Sequence, residues 1–126
     1  MGNSSAKHIL IVEDSLDLQA LLGELFEQED YKISRAMNGK EALDFLRSTQ
    51  ELPSLILLDI MMPVMDGIEF REFQLKDPKL KKIPVVIMTA DSNSQSKASE
   101  LGVTEIIRKP IRDIGGLVDR VEKLRN

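Results

Sequence analysis

Asp59 closes the most apolar stretch of the chain, Leu55-Ile56-Leu57-Leu58, and is followed by Ile60-Met61-Met62-Pro63 and then Asp66-Gly67. A second pair of acids, Glu13 and Asp14, closes another apolar run, Ile9-Leu10-Ile11-Val12, and Lys109 stands just past a third, Ile106-Ile107. Runs of branched aliphatics read as strands buried on both faces of a parallel sheet, and the carboxyl ends of such strands are where open α/β sheets bind ligands. Three carboxylates gathered at one sheet edge repel one another and resist burial unless cations join them. Lys109 supplies one positive charge. A hard divalent metal held by oxygen ligands is the natural second, and it would make Asp59 part of a phosphate-handling site.

The elements that must position these groups follow from apolar runs alternating with amphipathic segments, the mark of repeated βα units. Strands are predicted over Lys7 to Glu13, Tyr31 to Ala36, Leu55 to Asp59, Ile83 to Met88 and Glu105 to Ile107. The second is the most polar and suits a sheet edge. Ser15 is predicted to cap a first helix reaching about Glu29, with Leu18, Leu21, Leu22, Leu25 and Phe26 as its buried stripe. Asn38 with Glu41, and Asp66 with Glu69, have the spacing of helix cap pairs, and Asp77-Pro78 ends the third helix. The segment from Asp91 to Glu100, rich in Ser, Asn and Gln, predicts a short, weakly packed, mobile helix. The last helix is read from Ile111 to Leu124, with Gly115-Gly116 an unexplained pair in its interior.

At 126 residues the chain has room for one domain. Its 17 basic and 21 acidic residues, net −4, argue against a nucleic-acid or anionic-membrane surface. The only basic cluster, Lys79, Lys81 and Lys82, reads as a solvated loop. Zero cysteines exclude disulfides and thiol chemistry and fit a reducing, cytoplasmic compartment. The single histidine, His8, excludes a histidine-dependent triad or a multi-histidine metal site within one chain and reads as an ordinary strand-entry residue. No apolar segment reaches the ~20 residues needed to span a bilayer. Residues 1–6 are expected to be a disordered leader, and 7–126 the domain.

The joint order of Glu13-Asp14, Asp59 with Met62-Pro63 and Asp66-Gly67, Thr89-Ala90, and Lys109-Pro110 resembles the receiver domain of two-component response regulators, in the manner of single-domain chemotaxis regulators. Asn38-Gly39 before Glu41-Ala42-Leu43 adds to the likeness, which covers about Lys7 to Leu124. The resemblance implies an α/β fold, the flavodoxin-like (βα)5 three-layer sandwich with parallel sheet order 2-1-3-4-5; a family member serves as a general example of that order. It implies that Asp59 is the phosphoacceptor, taking a phosphoryl group from a sensor histidine kinase or a histidine phosphotransfer protein. Glu13, Asp14, Asp59 and the backbone carbonyl of Met61 would hold Mg²⁺. Lys109 and the Thr89 hydroxyl would contact the phosphoryl group, and the Lys109-Pro110 peptide would be cis.

Switching in this family passes from the threonine to a face made of the fourth helix, fifth strand and last helix, usually with an aromatic residue three before the lysine. Here that residue is Ile106. An aliphatic side chain lacks the large swing with a polar tip, so the weak helix at 91–100 is expected to carry the change by becoming ordered. Met61 and Asp91 fall at positions that flank the attacking water during hydrolysis. Partners implied are the kinase or phosphotransfer protein and a downstream protein, and the family also admits a phosphorylation-dependent homodimer.

Two other classes compete. A Mg²⁺-dependent aspartyl phosphohydrolase wants an acid two residues past the nucleophile, where Met61 stands. A phosphorylation-independent interaction module is the remaining alternative, against which the complete set of acids, Thr89 and Lys109 weighs. Beyond its own phosphorylation and slow autodephosphorylation, the chain is expected not to be an enzyme.

Overall fold

A computed structural model describes residues 7–103 and 105–126; the expected leader lies outside them. In chain order the elements are β1 (His8–Val12), α1 (Leu16–Glu27), β2 (Lys32–Ala36), α2 (Gly39–Ser48), β3 (Leu55–Asp59), α3 (Gly67–Lys76), β4 (Val85–Thr89), α4 (Ser92–Glu100), β5 (Glu105–Arg108) and α5 (Ile114–Leu124). The strands form one parallel sheet in the order β2-β1-β3-β4-β5. This is the expected flavodoxin-like receiver fold.

The period-two alternation of each strand divides the core. Leu10, Val12, Ile56, Leu58, Val85 and Ile87 pack with residues of α2, α3 and α4 on one face. Ile9, Ile11, Leu55, Leu57, Val86 and Met88 pack with Leu22 and Phe26 of α1 and Leu117, Val118 and Val121 of α5 on the other. Because both faces are covered, β1, β3 and β4 are buried along their whole length. The edge strands β2 and β5 are the less buried ones.

The cap pairs form as their spacing predicts. The Asn38 side chain accepts from Glu41 N, and Asp66 with Glu69 makes a reciprocal capping box. Several elements differ from the expected bounds by a few residues, and three of them are informative. The first helix stops at Glu27, before Asp30 at a φ of 68°. Its buried arc is Gln19, Leu22, Gly23 and Phe26, whereas Leu21 is exposed, so the stripe read from the leucines was centred one residue early. The fourth strand begins at Val85 because Pro84 has no N–H to donate to the ladder, and it runs on through Thr89.

The start of the last helix explains the glycine pair. The last helix starts at Ile114, not Ile111, so Gly115 and Gly116 occupy its first turn. The Asp113 carboxylate folds over them and accepts from Gly116 N at 2.9 Å. A Cβ on Gly116 would meet Asp113 Oδ2 at 2.3 Å. Among the described residues, no helix is long and apolar enough to cross a membrane.

Candidate acidic site at the carboxyl edge of the sheet

The strand register assembles the site. Val12 pairs with Leu58, Asp59 with Met88 and Thr89 with Arg108, so Glu13, Asp59, Thr89 and Lys109 lie at the ends of four adjacent strands. Glu13 N donates to Ala36 O at 3.0 Å and Lys109 N to Thr89 O at 2.9 Å, which extends the ladder one step past β1 and β5. The backbone beyond Asp59 is held by Ile60 N to Met88 O and by Gly67 N to Ile60 O. Gly67 has to lack a side chain, since a Cβ there would sit 2.5 Å from Asp59 O.

One carboxylate oxygen from each of Glu13, Asp14 and Asp59 lies within 4.8 Å of the others. Glu13 and Asp59 are buried, and Asp14 is open to solvent. The Lys109 ammonium bridges the two buried acids, at 2.8 Å from Glu13 Oε1 and 3.3 Å from Asp59 Oδ1. The other Glu13 oxygen accepts from Ser15 N at 3.0 Å.

These charges perturb one another. Burial, then the neighbouring Glu13 charge, pushes the Asp59 carboxyl up to about 6, against the pull of Lys109 and with a smaller push from Asp14. Burial lowers the Lys109 ammonium, but the Glu13 and Asp59 carboxylates outweigh it and the net shift is upward. One lysine therefore does not neutralise the cluster. An all-oxygen set of three acids that still holds Asp59 above the usual carboxylate range suits a hard divalent cation, so the residues fit Mg²⁺.

Glu13, Asp14, Asp59 and Lys109 come together as the sequence predicts, and the Lys109-Pro110 peptide is cis. Thr89 ends the neighbouring strand β4. It is fully buried, and its hydroxyl accepts from Asp91 N at 3.0 Å and donates to Asp91 O at 3.3 Å. The Met61 side chain is exposed, and Ile106 is half-buried against the cluster that contains Ala98 of α4. Beside the site runs an apolar groove of about 430 Å³, lined by Leu18, Leu21, Leu22, Pro110, Ile111 and Ile114, with Lys109 shared between groove and acids.

Two contributors escaped the sequence reading. Ser15 binds Glu13 through its backbone N–H, which any residue carries. Buried Gln19 holds the carbonyls of Ile11 and Ala36, and its one signal was a polar side chain standing among apolar neighbours on a helix.

The response regulator receiver domain family model matches residues 9–122. The chain is similar to sporulation initiation phosphotransferase F of Bacillus subtilis, 41% identical over 91% of this chain and 90% of that one. It is similar also to the receiver domain of a signal transduction histidine kinase from Syntrophus aciditrophicus, at a TM-score of 0.85 with 36% identity over 94% of this chain and 89% of that one. A third likeness is to the Mn²⁺-bound form of response regulator Rcp1, at a TM-score of 0.80 with 30% identity over 93% and 92% of the two chains. With the strand order, the acid cluster and a family match spanning nearly its whole length, the chain belongs to the response regulator receiver domains of two-component phosphorelay signalling.

Proposed function

We propose that Asp59 accepts a phosphoryl group from a phosphohistidine on a sensor kinase or phosphotransfer protein, and that the resulting aspartyl phosphate switches the α4-β5-α5 face toward a downstream protein. The observation that carries this reading is the Lys109 bridge between Glu13 and Asp59, since it puts a cation beside a buried nucleophile.

An Asp59 carboxylate oxygen attacks phosphorus, the P–N bond breaks, and its electron pair returns to the imidazole, which takes up a proton. Glu13, Asp14, Asp59 and the Met61 carbonyl would hold Mg²⁺, which would supply positive charge to neutralise the transferring oxygens. Glu13 already engages Lys109 through one carboxylate oxygen and Ser15 N through the other. Lys109 slides from Glu13 toward the new phosphoryl oxygens, and Thr89 turns its hydroxyl from Asp91 to the same group. The apolar groove beside Lys109 receives the donor protein. Catalysis is limited to the domain's own phosphorylation and hydrolysis.

The test is intact mass after incubation with Mg²⁺ and acetyl phosphate, beside Asp59→Asn. A labile gain of one phosphoryl group, dependent on Mg²⁺ and lost in the variant, is the expected result. No gain, in a protein that binds Mg²⁺ and beryllofluoride, would favour the phosphorylation-independent interaction module.

A further inference from the structure

The side chain of Gln19 occupies a place on α1 where the helix should be apolar. It lies on the arc that packs against the sheet with Leu22, Gly23 and Phe26, and it is only 3% exposed. Its amide nitrogen donates to Ile11 O at 2.8 Å and Ala36 O at 2.9 Å, with a longer approach to Glu13 O at 3.3 Å. Those carbonyls sit at the ends of β1 and β2, where the ladder is running out. Its amide oxygen is buried and finds no hydrogen-bond partner among the described residues.

A buried amide with one half unsatisfied is a poor choice for stability alone. What it secures is the backbone at Glu13. There the chain leaves the strand, and two adjacent acids must turn their carboxylates toward one point beside Asp59. Glu13 N is tied to Ala36 O, and Gln19 grips Ala36 O and Glu13 O together, so both peptide groups flanking the Glu13 side chain are fixed by one pair of neighbours. The remaining constraints on Glu13, from Lys109 and Ser15 N, act on its carboxylate and leave its backbone free.

We infer that Gln19 is a positioning residue for the divalent-cation site, holding the Glu13-Asp14 turn in the conformation that lets both carboxylates meet the ion with Asp59. The inference rests on the Mg²⁺ site proposed above. Groups that orient metal ligands from behind change affinity by about 10–100-fold when removed. An effect of that size separates Gln19 from ordinary core packing, which alters stability and leaves a pre-formed ion site unchanged in the folded molecules.

The experiment is Mg²⁺ titration followed by the amide resonances of Glu13, Asp14 and Asp59. The proteins compared are the parent, Gln19→Met, Gln19→Asn and a core control, Phe26→Leu, all under conditions where each is folded. Gln19→Asn keeps an amide one methylene too short and serves if Gln19→Met does not fold. The expected result is a Kd for Mg²⁺ raised about tenfold or more in the Gln19 variants, with shifted Glu13 and Asp14 amides in the metal-free state, and an unchanged Kd in Phe26→Leu. Parent-like affinity in a folded Gln19 variant would overturn the inference and leave the metal site standing. An equal loss in Phe26→Leu would reduce Gln19 to core packing. A parent that binds no Mg²⁺ would overturn the metal site and this inference together.

Discussion

Thr89 and Asp91 close a hydrogen-bonded turn on each other: the Thr89 hydroxyl both accepts from Asp91 N and donates to Asp91 O. Asp91 in turn caps α4, its carboxylate accepting from Asn93 N at 2.9 Å and from Ser94 Oγ at 3.1 Å. The residue expected to meet the phosphoryl group is thus bound to the residue that starts the weak helix. At the other end of α4, buried Arg71 of α3 donates to Leu101 O and Gly102 O.

Drawing Thr89 onto a covalently held phosphoryl group exchanges two neutral bonds for a charge-assisted one and anchors the loop before α4. Beryllofluoride with Mg²⁺ should slow hydrogen exchange in the first turn of α4 and leave the 101–102 turn unchanged, and Thr89→Val should abolish the effect. Arg71→Met should do the converse, speeding exchange at the carboxyl end of α4 without the mimic. Its loss of three hydrogen bonds, one of them to Gln74, should cost about 2–3 kcal/mol in urea unfolding. Uniform protection of α4 under both treatments would count against this division.

Acid should act on two groups in opposite senses. The folded Asp59 carboxyl is raised from 3.8 to about 6, so its contribution to stability is full below 3.8 and is lost as pH rises through 6. In Mg²⁺-free buffer at pH 7, Asp59→Asn should therefore be more stable than the parent by on the order of 2 kcal/mol. Burial, helped by Lys32 and opposed by Glu51, lowers His8 below 6.5; its contribution is present above 6.5 and fades as pH falls below that value. Urea midpoints across pH 4 to 8 in Asp59→Asn should retain only the acid-side loss, and a gain in stability of that variant toward pH 5 would contradict the assignment.

Val64 carries a φ of 70° in the loop after Asp59, where Met65 N donates to Pro63 O at 2.8 Å in a γ-turn. A β-branched residue is strained there, and three quarters of Val64 is exposed, so little packing is lost on removing it. Val64→Gly should raise stability by about 1 kcal/mol, glycine's entropy cost included. Thermal unfolding decides it, and a lower midpoint would show that the side chain packs better than its exposure implies.

Hydrolysis of the acyl phosphate should respond to Met61 and hardly to Asp91. Met61 is an exposed apolar side chain two residues past the nucleophile, unable to orient water, so Met61→Asn should speed phosphoryl loss severalfold. The Asp91 carboxylate is committed to the α4 cap, so Asp91→Ala should leave the rate near the parent's and cost about 1 kcal/mol of helix stability. Rates by intact mass over time are the check, and a slower Asp91→Ala would reinstate that residue beside the water.

Local chemistry decided much of this molecule in advance. Apolar runs such as Leu55 to Leu58 define buried strands because only a covered sheet accommodates them, and acids at their ends are conspicuous because burying charge is costly. Asn38 and Asp66 announce their helices through side-chain bonds that span three residues, which spacing alone reveals. Other features depend on what lies across space. Whether Leu21 or Gln19 faced the sheet turned on where α1 lies over β1 and β2, whose strand-end carbonyls give the amide its partners. The orientation of Thr89 toward Asp91, the bridge from Lys109 to both buried acids, and the Asp113 carboxylate over Gly116 are likewise set by packing and register. The sequence by itself determined which groups could do chemistry and at which strand ends they stand. Only the tertiary structure decided which of them touch, because hydrogen bonds and ion pairs act over a few ångströms while the residues that make them lie as much as ninety-six positions apart.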